Sequence, residues 1–248
     1  MRIIISPAKK MRVERDSLPW QELPRFLPQA EALCRALQAM DAPALQKLWA
    51  CSEKIAALNI ERLKEMDLRR GLSPAILAYE GLQYQYMAPQ VFSEQAYAYI
   101  QEHLRILSGF YGLLRPFDGV QPYRLEMQAP LQMGEAKDLY AFWGDQIAEA
   151  LFAESSCILD LASREYSLCL SRYLRPGIRM IRCVFGEEKE GRIIEKGTLC
   201  KMARGEMLRF LAEGQIKSPE EAKAFTGLDH RFDPDRSDAE NYVFVRRS

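Results

Sequence analysis

The chain has 248 residues, of which 48% are hydrophobic and 27% are charged, which is enough apolar material to bury a large core. Lys and Arg number 34, as do Asp and Glu, so no net charge draws the whole molecule onto nucleic acid or an anionic membrane. Any anion binding must therefore come from a local patch. No apolar stretch approaches the roughly 20 residues that span a bilayer. The apolar start at 2–5 is too short for a signal segment, so we expect a cytoplasmic protein without membrane association.

The cysteines and histidines offer no recognisable metal site. The six cysteines are scattered without a C-x-x-C pair, and the two histidines, His103 and His230, lie far apart in the chain. This spacing fits neither a zinc site nor a disulfide framework. Several cysteines fall in apolar stretches, where cysteine usually acts as a small buried hydrophobe. We expect no metal and no cofactor.

The first part of the chain predicts a strand followed by a helical block. Residues 2–6 form a short apolar run ended by Pro7, which is typical of a buried strand. After an irregular segment, apolar residues recur at helical spacing and predict a helical segment at about 28–70. The alternation at 75–86 predicts strand structure around a turn at Gly81.

The rest of the chain alternates helices and strands. Ser93 is a favourable N-cap for a helix, and further helices are predicted at about 137–151 and 199–212. Apolar runs typical of interior strands lie at 157–162, 178–185 and 241–245. Because these elements lack strict β-α-β spacing, they predict a mixed α/β (α+β) fold, in which helices pack on a mixed sheet. We find no linker and no internal repeat, and we expect a single domain over residues 1–248.

Several motifs occur here in the same order as in a known family. The longest reads HLRILSGFYGLLRPFD at 103–118 and continues as QPYRLEM at 121–127. Shorter motifs are SPAK at 6–9, LYAFWGD at 139–145, LASREY at 161–166, KMARG at 201–205 and VFVR at 243–246. On these motifs the chain resembles, over nearly its whole length, the YaaA family of peroxide stress proteins.

The resemblance implies a peroxide stress response protein that limits iron-dependent oxidative damage and binds DNA. Because the net charge is zero and the basic residues lie in separate clusters, we expect it to bind double-stranded DNA without sequence preference. It also implies the family's own fold, with a helix-hairpin-helix-like element beside a basic cleft. That element corresponds to residues 52–62, where Ala57 replaces the family's glycine and Asn59 best tolerates a positive φ. The residues expected to bind nucleic acid are Lys54, Asn59, Arg62 and Lys64. An amphipathic helix pair with a solvated charged face is the alternative explanation of this pattern.

Candidate residues for an anion-binding cleft come from separate segments of the chain. They are Lys9, Tyr123, Arg124, Glu126, Ser163, Glu165, Lys201 and Arg204. Lys201 and Arg204 are three apart on a predicted helix and share a face. Lys9 follows one predicted strand and Ser163 follows another, at positions where α/β proteins commonly bind ligands. Such basic groups suit a phosphate on DNA or on a nucleotide. A buried structural ion network is the alternative.

Two further functions compete with DNA binding. One is an enzyme of unidentified reaction on a phosphate-bearing or nucleotide-like small molecule, with Lys9, Lys201 or Glu126 in acid-base or electrophilic roles. The family tends to place an acidic residue at the position of Leu82, so a site that relies on that carboxylate is not expected here. The other function is direct iron ligation. It is disfavoured because a chain with two histidines and no Glu-x-x-His pair offers few iron sites.

Overall fold

A mostly parallel mixed sheet forms the centre of the computed structural model, which describes residues 1–246. The strands are β1 (Arg2–Ile5), β2 (Lys10–Met11), β3 (Ser73–Pro74), β4 (Tyr79–Glu80), β5 (Leu104–Ser108), β6 (Gly112–Leu114), β7 (Gly119–Val120), β8 (Cys157–Leu161), β9 (Arg179–Lys189), β10 (Arg192–Ile194), β11 (His230–Phe232) and β12 (Asn241–Arg246). The helices are α1 (Leu27–Gln38), α2 (Ala42–Trp49), α3 (Glu53–Lys64), α4 (Ala75–Ala78), α5 (Leu82–Met87), α6 (Glu94–His103), α7 (Leu139–Trp143), α8 (Gln146–Phe152), α9 (Arg164–Ser171) and α10 (Gly197–Glu213). The mixed α/β fold expected from the sequence is confirmed.

The main sheet has the strand order β11-β12-β9-β8-β1-β5-β6, and β10 pairs with β9. Neighbours from β12 to β5 run parallel, whereas β6, β10 and β11 pair antiparallel. The three isoleucines of β1 have no exposed surface, as expected of a central parallel strand buried on both faces. The register of β1 with β8 sets Ile5 beside Leu161. These two strands therefore end side by side at one edge of the sheet.

The predicted helical block contains α1, α2 and α3. The side chain of Asp41 caps α2 by accepting a hydrogen bond from the Ala44 N–H group. The helix ends at Ala50, which has a left-handed backbone conformation with φ 43° and turns the chain toward α3. Each of these helices contributes a buried leucine to the core: Leu33 from α1, Leu45 from α2 and Leu63 from α3. The turn between α2 and α3 is thus made at Ala50.

The predicted strand structure at 75–86 is largely wrong. Only Tyr79–Glu80 is a strand, and it lies between the short helices α4 and α5. Gln83, Tyr84 and Met87 are buried on one face of α5, because α10 packs closely against this helix. An alternation over so few residues suits either structure, and the contact with a helix far along the chain decides between them.

The single helix predicted at 137–151 is broken in two. Gly144 ends α7 with φ 50° and ψ −132°, a conformation that favours glycine. The chain then restarts as α8. Trp143 and Ile147 still bury their side chains in the core, so the helical periodicity seen in the sequence comes from two helices in series.

All six cysteines are free thiols. Cys34, Cys169, Cys183 and Cys200 are buried, as the apolar sequence around them indicates. Burial raises the pKa of the Cys169 thiol to about 12 and also raises those of the Cys34, Cys183 and Cys200 thiols. Among residues 1–246 no helix combines the length and the apolar character needed to cross a membrane.

Candidate functional site: a cleft at the edge of the sheet

A cavity of about 440 Å³ lies where β1 and β8 end. All of the residues predicted for an anion-binding cleft line it. They are Lys9, Tyr123, Arg124, Glu126, Ser163, Glu165, Lys201 and Arg204. The structure thus brings together side chains from four separate segments of the sequence. This position matches the general rule that open α/β sheets bind ligands at the carboxyl ends of their parallel strands.

The lining also includes residues that the sequence-based prediction missed. These are Ser6, Lys10, Glu80, Gln83 and Tyr84. Ser6 is the last residue before the proline that ends the first apolar run. Its position at a predicted strand end is the feature of the sequence that could have indicated a place in the cleft. Glu80, Gln83 and Tyr84 lie in the segment predicted as strand structure, whereas Lys10 directly follows the predicted Lys9. Leu82, at the position where the family tends to have an acid, contributes an apolar side chain to the lining.

Two serines join the ends of β1 and β8. The Ser163 N–H group donates to the Ser6 hydroxyl oxygen over 2.8 Å, and the two hydroxyl oxygens are 3.2 Å apart. The Tyr84 hydroxyl of α5 donates to the Ser6 carbonyl oxygen over 3.0 Å. Since the Ser6 hydroxyl donates to Ser163, the Ser163 hydroxyl retains its own proton for a further acceptor.

Glu126 is the centre of an ion-pair cluster on one side of the cleft. The Lys9 ammonium lies 2.6 Å from one oxygen of this carboxylate, and an Arg124 guanidinium nitrogen lies 3.5 Å from the other. Nearby, Lys10 pairs with Glu80 at 3.0 Å. The cations on this side of the cleft are therefore largely neutralised by carboxylates.

Glu165 adds a second carboxyl group beside Glu126. It accepts a hydrogen bond from the Gln128 N–H group over 3.2 Å. Burial raises the pKa of the Glu165 carboxyl, the negative charge of Glu126 raises it further, and the positive charge of Lys9 opposes the shift. Two neighbouring carboxyl groups thus have different environments, an arrangement often found where an acid and a base act together.

Arg124 and Arg204 place buried guanidinium groups at the cleft. Their side chains are only 10% and 9% exposed, and both Nε atoms are buried without a hydrogen-bond partner among residues 1–246. Arg124 donates at long range, 3.4 Å, to the Trp49 carbonyl oxygen. Arg204 lies 3.9 Å from Glu195, which is bound more closely by Arg182 at 2.9 Å. Buried donors normally find partners, so these groups have unused capacity to bind an acceptor.

Lys201, one turn from Arg204 on α10, is exposed and has no carboxylate within 4.0 Å in the described part of the chain. Behind both lies Asp160 of β8, whose carboxylate accepts from the Ser167 hydroxyl over 2.6 Å and from the Ala162 N–H group over 2.8 Å. Burial raises the pKa of Asp160 to about 6, although these hydrogen bonds and the Arg204 charge lower it. The Asp160 carboxyl is thus already engaged and does not form a direct pair with Arg204.

Gly205 lets α10 lie against α5. A Cβ atom at this position would collide with the Gln83 carbonyl oxygen and would lie 2.9 Å from the Met87 nitrogen. Only glycine allows the two backbones to approach so closely. This contact places Gln83 and Tyr84 of α5 opposite Lys201 and Arg204 of α10 in the cleft lining.

The Tyr123 hydroxyl belongs to a buried network behind the cleft. It lies 2.8 Å from the Tyr79 hydroxyl and 2.7 Å from the Ser108 hydroxyl. Burial raises the pKa of Tyr123 to about 12, so its phenol stays protonated at neutral pH. Phe110 stacks on its ring with centroids 4.9 Å apart. Tyr123 is therefore held rigidly, and it offers the cleft an aromatic wall.

The residues predicted for a helix-hairpin-helix-like element do not line this cleft. Ala57 and Asn59 lie inside α3, and Asn59 is buried and donates to the Ile55 carbonyl oxygen over 2.8 Å. The expected turn at these positions is wrong, because the chain turns at Ala50 and continues from there as one helix. Arg62 donates to the Met11 carbonyl oxygen over 3.2 Å.

The two lysines of this element lie at opposite ends of α3. Lys64 pairs with Glu61 at 2.8 Å, whereas Lys54 is exposed in the first turn. Of the four residues predicted for nucleic acid, Lys54 is thus the best placed for an outside partner, because Asn59 and Arg62 serve the chain's own backbone.

No group of three or more His, Cys, Asp or Glu side chains is arranged to hold a metal ion within residues 1–246. The polar groups of the cleft are guanidinium, ammonium, carboxyl and hydroxyl groups, and the cations among them suit an anionic ligand.

The structure is that of a mixed α/β protein with a cleft, lined by basic and carboxyl side chains, at the carboxyl ends of its parallel strands. The sequence profile of peroxide stress protein YaaA matches residues 1–236, and the chain belongs to this family. It is 52% identical over 246 residues to a UPF0246 protein of Desulfitobacterium hafniense, an alignment that covers 99% of this chain and 98% of that protein. It is 50% identical over 245 residues to a UPF0246 protein of Lactiplantibacillus plantarum, covering 99% of each. The resemblance read from the motifs is thereby confirmed.

Proposed function

We propose that this protein acts in the peroxide stress response by binding double-stranded DNA and limiting iron-dependent oxidative damage to it, with the cleft as the site of a phosphate group. The observation that carries the proposal is the pair of guanidinium groups in the cleft lining, Arg124 and Arg204, whose nearest carboxylates within residues 1–246 are 3.5 Å and 3.9 Å away. A phosphate oxygen is a strong acceptor for such a donor.

The balance of charge supports a local attraction for anions. The molecule as a whole has no net charge, so its attraction for DNA depends on where the cations lie. At the cleft, Lys201 is exposed without a carboxylate partner in the described chain, and Arg204 has only a distant one. This field is short-ranged in physiological salt, so the phosphate must approach the cleft closely.

The start of α3 is a second point of contact in this proposal. Its N-cap residue, Ser52, makes no side-chain capping hydrogen bond, and Lys54 lies in the first turn. The free N–H groups of a helix start attract phosphate, although Glu53 beside them weakens the attraction. Arg124 connects this region to the cleft, because its guanidinium group donates to the Trp49 carbonyl oxygen at the end of α2.

A titration of a fluorescent 20-base-pair duplex at several salt concentrations tests the proposal. We expect affinity to fall as salt rises, with a slope that reports the number of phosphates neutralised. Lys201→Gln should weaken binding, and Arg209→Gln is the matched control, because Arg209 lies on the same helix but outside the cleft, paired with Glu213. A duplex affinity that changes neither with salt concentration nor with Lys201→Gln would refute duplex binding at this site.

A second candidate is an enzyme acting on a phosphate-bearing small molecule, and the paired carboxyl groups Glu126 and Glu165 favour it. Glu126 contacts the cations Lys9 and Arg124, whereas burial raises the pKa of the Glu165 carboxyl. Incubation with nucleotides, followed by chromatography of the products, tests this function. Turnover that Glu165→Gln abolishes and Glu206→Gln preserves would establish it, since Glu206 lies outside the cleft lining.

A further inference from the structure

Positive charge is distributed unevenly within the cleft. On one side, Lys9 and Arg124 share the carboxylate of Glu126, and Lys10 pairs with Glu80. On the α10 side, Lys201 and Arg204 lack comparable partners in the described chain. The surplus of positive charge, and hence the strongest attraction for an anion, therefore lies beside α10.

The start of α9 also lines the cleft, through its N-cap residue Ser163 and through Glu165 in its first turn. Asp160 connects the two regions, because its carboxylate binds the Ser167 hydroxyl of α9 and its pKa responds to the Arg204 charge. Ser163 makes no side-chain capping bond, but the Tyr166 N–H group is bonded to the Ser163 carbonyl oxygen and Glu165 places a carboxyl group in the same turn. The helix start therefore does not add to the attraction for an anion, which rests on Lys201 and Arg204. Arg204 supports an anion beside α10, because its side chain is only 9% exposed, lines the cleft and has its nearest carboxylate within residues 1–246 at 3.9 Å.

The opposite side of the cleft suits neutral hydroxyl groups. Glu126 and Glu165 present carboxyl oxygens there, and such oxygens accept hydrogen bonds from hydroxyl groups. Pro7, Leu125 and Tyr166 add apolar surface to the lining, against which a ring can pack. The volume, about 440 Å³, falls within the range of pockets that enclose one small molecule.

We propose that the cleft binds a small phosphate monoester that carries sugar hydroxyl groups, such as a nucleoside monophosphate, in one fixed orientation. Its phosphate contacts Lys201 and Arg204 of α10, and its hydroxyl groups face Glu126 and Glu165. This inference rests on the proposed function in that both require the cleft to bind phosphate. It goes further by naming a ligand of single-nucleotide size and the direction in which it lies.

Calorimetric titrations with AMP, adenosine and inorganic phosphate test this orientation. We expect AMP to bind at least about tenfold more tightly than either fragment, because it occupies both ends of the cleft, a gain of about 1.4 kcal/mol. Arg204→Gln should lower AMP affinity at least about tenfold and leave adenosine binding unchanged. Glu126→Gln should weaken AMP but spare inorganic phosphate. The matched control, Arg209→Gln, should bind AMP as the unaltered protein does.

Because Arg204 is buried, its substitution can also destabilise the fold, so a second variant at an exposed position is needed. Lys201→Gln changes an exposed side chain and should weaken AMP severalfold at an unchanged melting temperature. If AMP binds no more tightly than inorganic phosphate, or if the Lys201 and Arg204 variants bind AMP normally, the inference is overturned. Duplex binding measured on the same variants separates the two proposals. If the variants lose duplex affinity and the unaltered protein does not bind AMP, the small ligand is refuted and the DNA site is retained. If the unaltered protein binds AMP and the variants keep normal duplex affinity, the DNA site is refuted and the small ligand is retained.

Discussion

Ser6 and Ser163 are 157 residues apart in the chain, yet their hydroxyl oxygens lie 3.2 Å from each other. They meet because β1 and β8 are parallel neighbours that end at the same edge of the sheet. The Ser6 hydroxyl both accepts from the Ser163 N–H group and donates to the Ser163 hydroxyl. The floor of the cleft is thus fixed by a contact between two strand ends.

Ser6→Ala should destabilise the protein more than Ser163→Ala does. The first change leaves the Ser163 N–H group without its acceptor, which costs about 1–3 kcal/mol for a buried group. The second removes only a hydroxyl acceptor and should cost about 1 kcal/mol or less. Urea unfolding of both variants measures the difference. Equal free energies of unfolding would contradict this role for Ser6.

Lys201→Ala and Arg204→Ala should separate binding from stability. Lys201 is exposed without an ion-pair partner in the described chain, so its loss should change the free energy of unfolding by less than about 0.5 kcal/mol. Arg204 is buried and lies near the Asp160 charge, so its loss removes packed side-chain volume and should destabilise the protein more than the loss of Lys201. Both should weaken phosphate binding. Thermal melting and ligand titration on the same samples decide the matter, and a large destabilisation from Lys201→Ala would indicate a structural role instead.

Gly205→Ala should damage both the fold and the cleft. The added methyl group meets backbone atoms of Gln83 and Met87, which cannot rotate away as a flexible side chain would. Overpacking of this kind typically costs about 1–3 kcal/mol, and backbone contacts place this site at the upper end. Chemical denaturation measures the loss. Gly197→Ala, on the same helix with open space around it, is the control and should unfold at nearly the denaturant concentration of the unaltered protein.

Ala57→Gly should lower the stability of the protein without improving DNA binding. Because Ala57 lies within α3, glycine there costs about 1 kcal/mol of helix stability and creates no turn. Lys54→Glu should reduce duplex affinity more than Lys64→Glu, since Lys54 lies at the helix start and Lys64 at its end, paired with Glu61. Fluorescence titration of a duplex compares the two lysine variants. Identical affinities would exclude the start of α3 from the DNA contact.

Asp118→Asn should remove a pH-dependent loss of stability. Burial raises the pKa of Asp118 to about 7, although its carboxylate accepts from the Arg115 N–H group. Between about pH 4 and pH 7 the folded protein therefore holds a proton that the unfolded chain has released, so this group makes stability fall as pH rises. The stability lost across that window should be up to about 4 kcal/mol larger in the unaltered protein than in Asp118→Asn.

Unfolding curves at pH 4.5 and pH 8, with the exposed Asp145→Asn as control, give this difference for Asp118. A difference between Asp118→Asn and the unaltered protein that stays constant with pH would rule out the raised pKa.

The sheet and the members of the cleft could be predicted because they depend on short-range signals. Apolar runs mark β1 and β8, and the polar residues that follow each run, such as Lys9 and Ser163, meet wherever parallel strands are neighbours. The helix α5 could not be predicted in this way. Its state depends on contact with α10, which lies more than a hundred residues further along the chain.

The position of the turn before α3 was predicted wrongly for a related reason. Glycine and asparagine tolerate a positive φ best, and this preference pointed to position 57, where the family has glycine, and to Asn59. In the structure, Ala50 has the left-handed conformation. An alanine can adopt this conformation at a modest cost when the helices on both sides are fixed by core packing. The alanine at position 50 therefore gives no indication of the turn in the sequence.

The buried thiols have a consequence for survival under oxidising conditions. Peroxides attack the thiolate form of cysteine, and reactivity also requires access from solvent. Cys34, Cys169, Cys183 and Cys200 lack both, because burial keeps them protonated and covered. These four thiols are therefore poor targets for peroxide in the folded protein, whereas Cys51 and Cys157 are only half-buried.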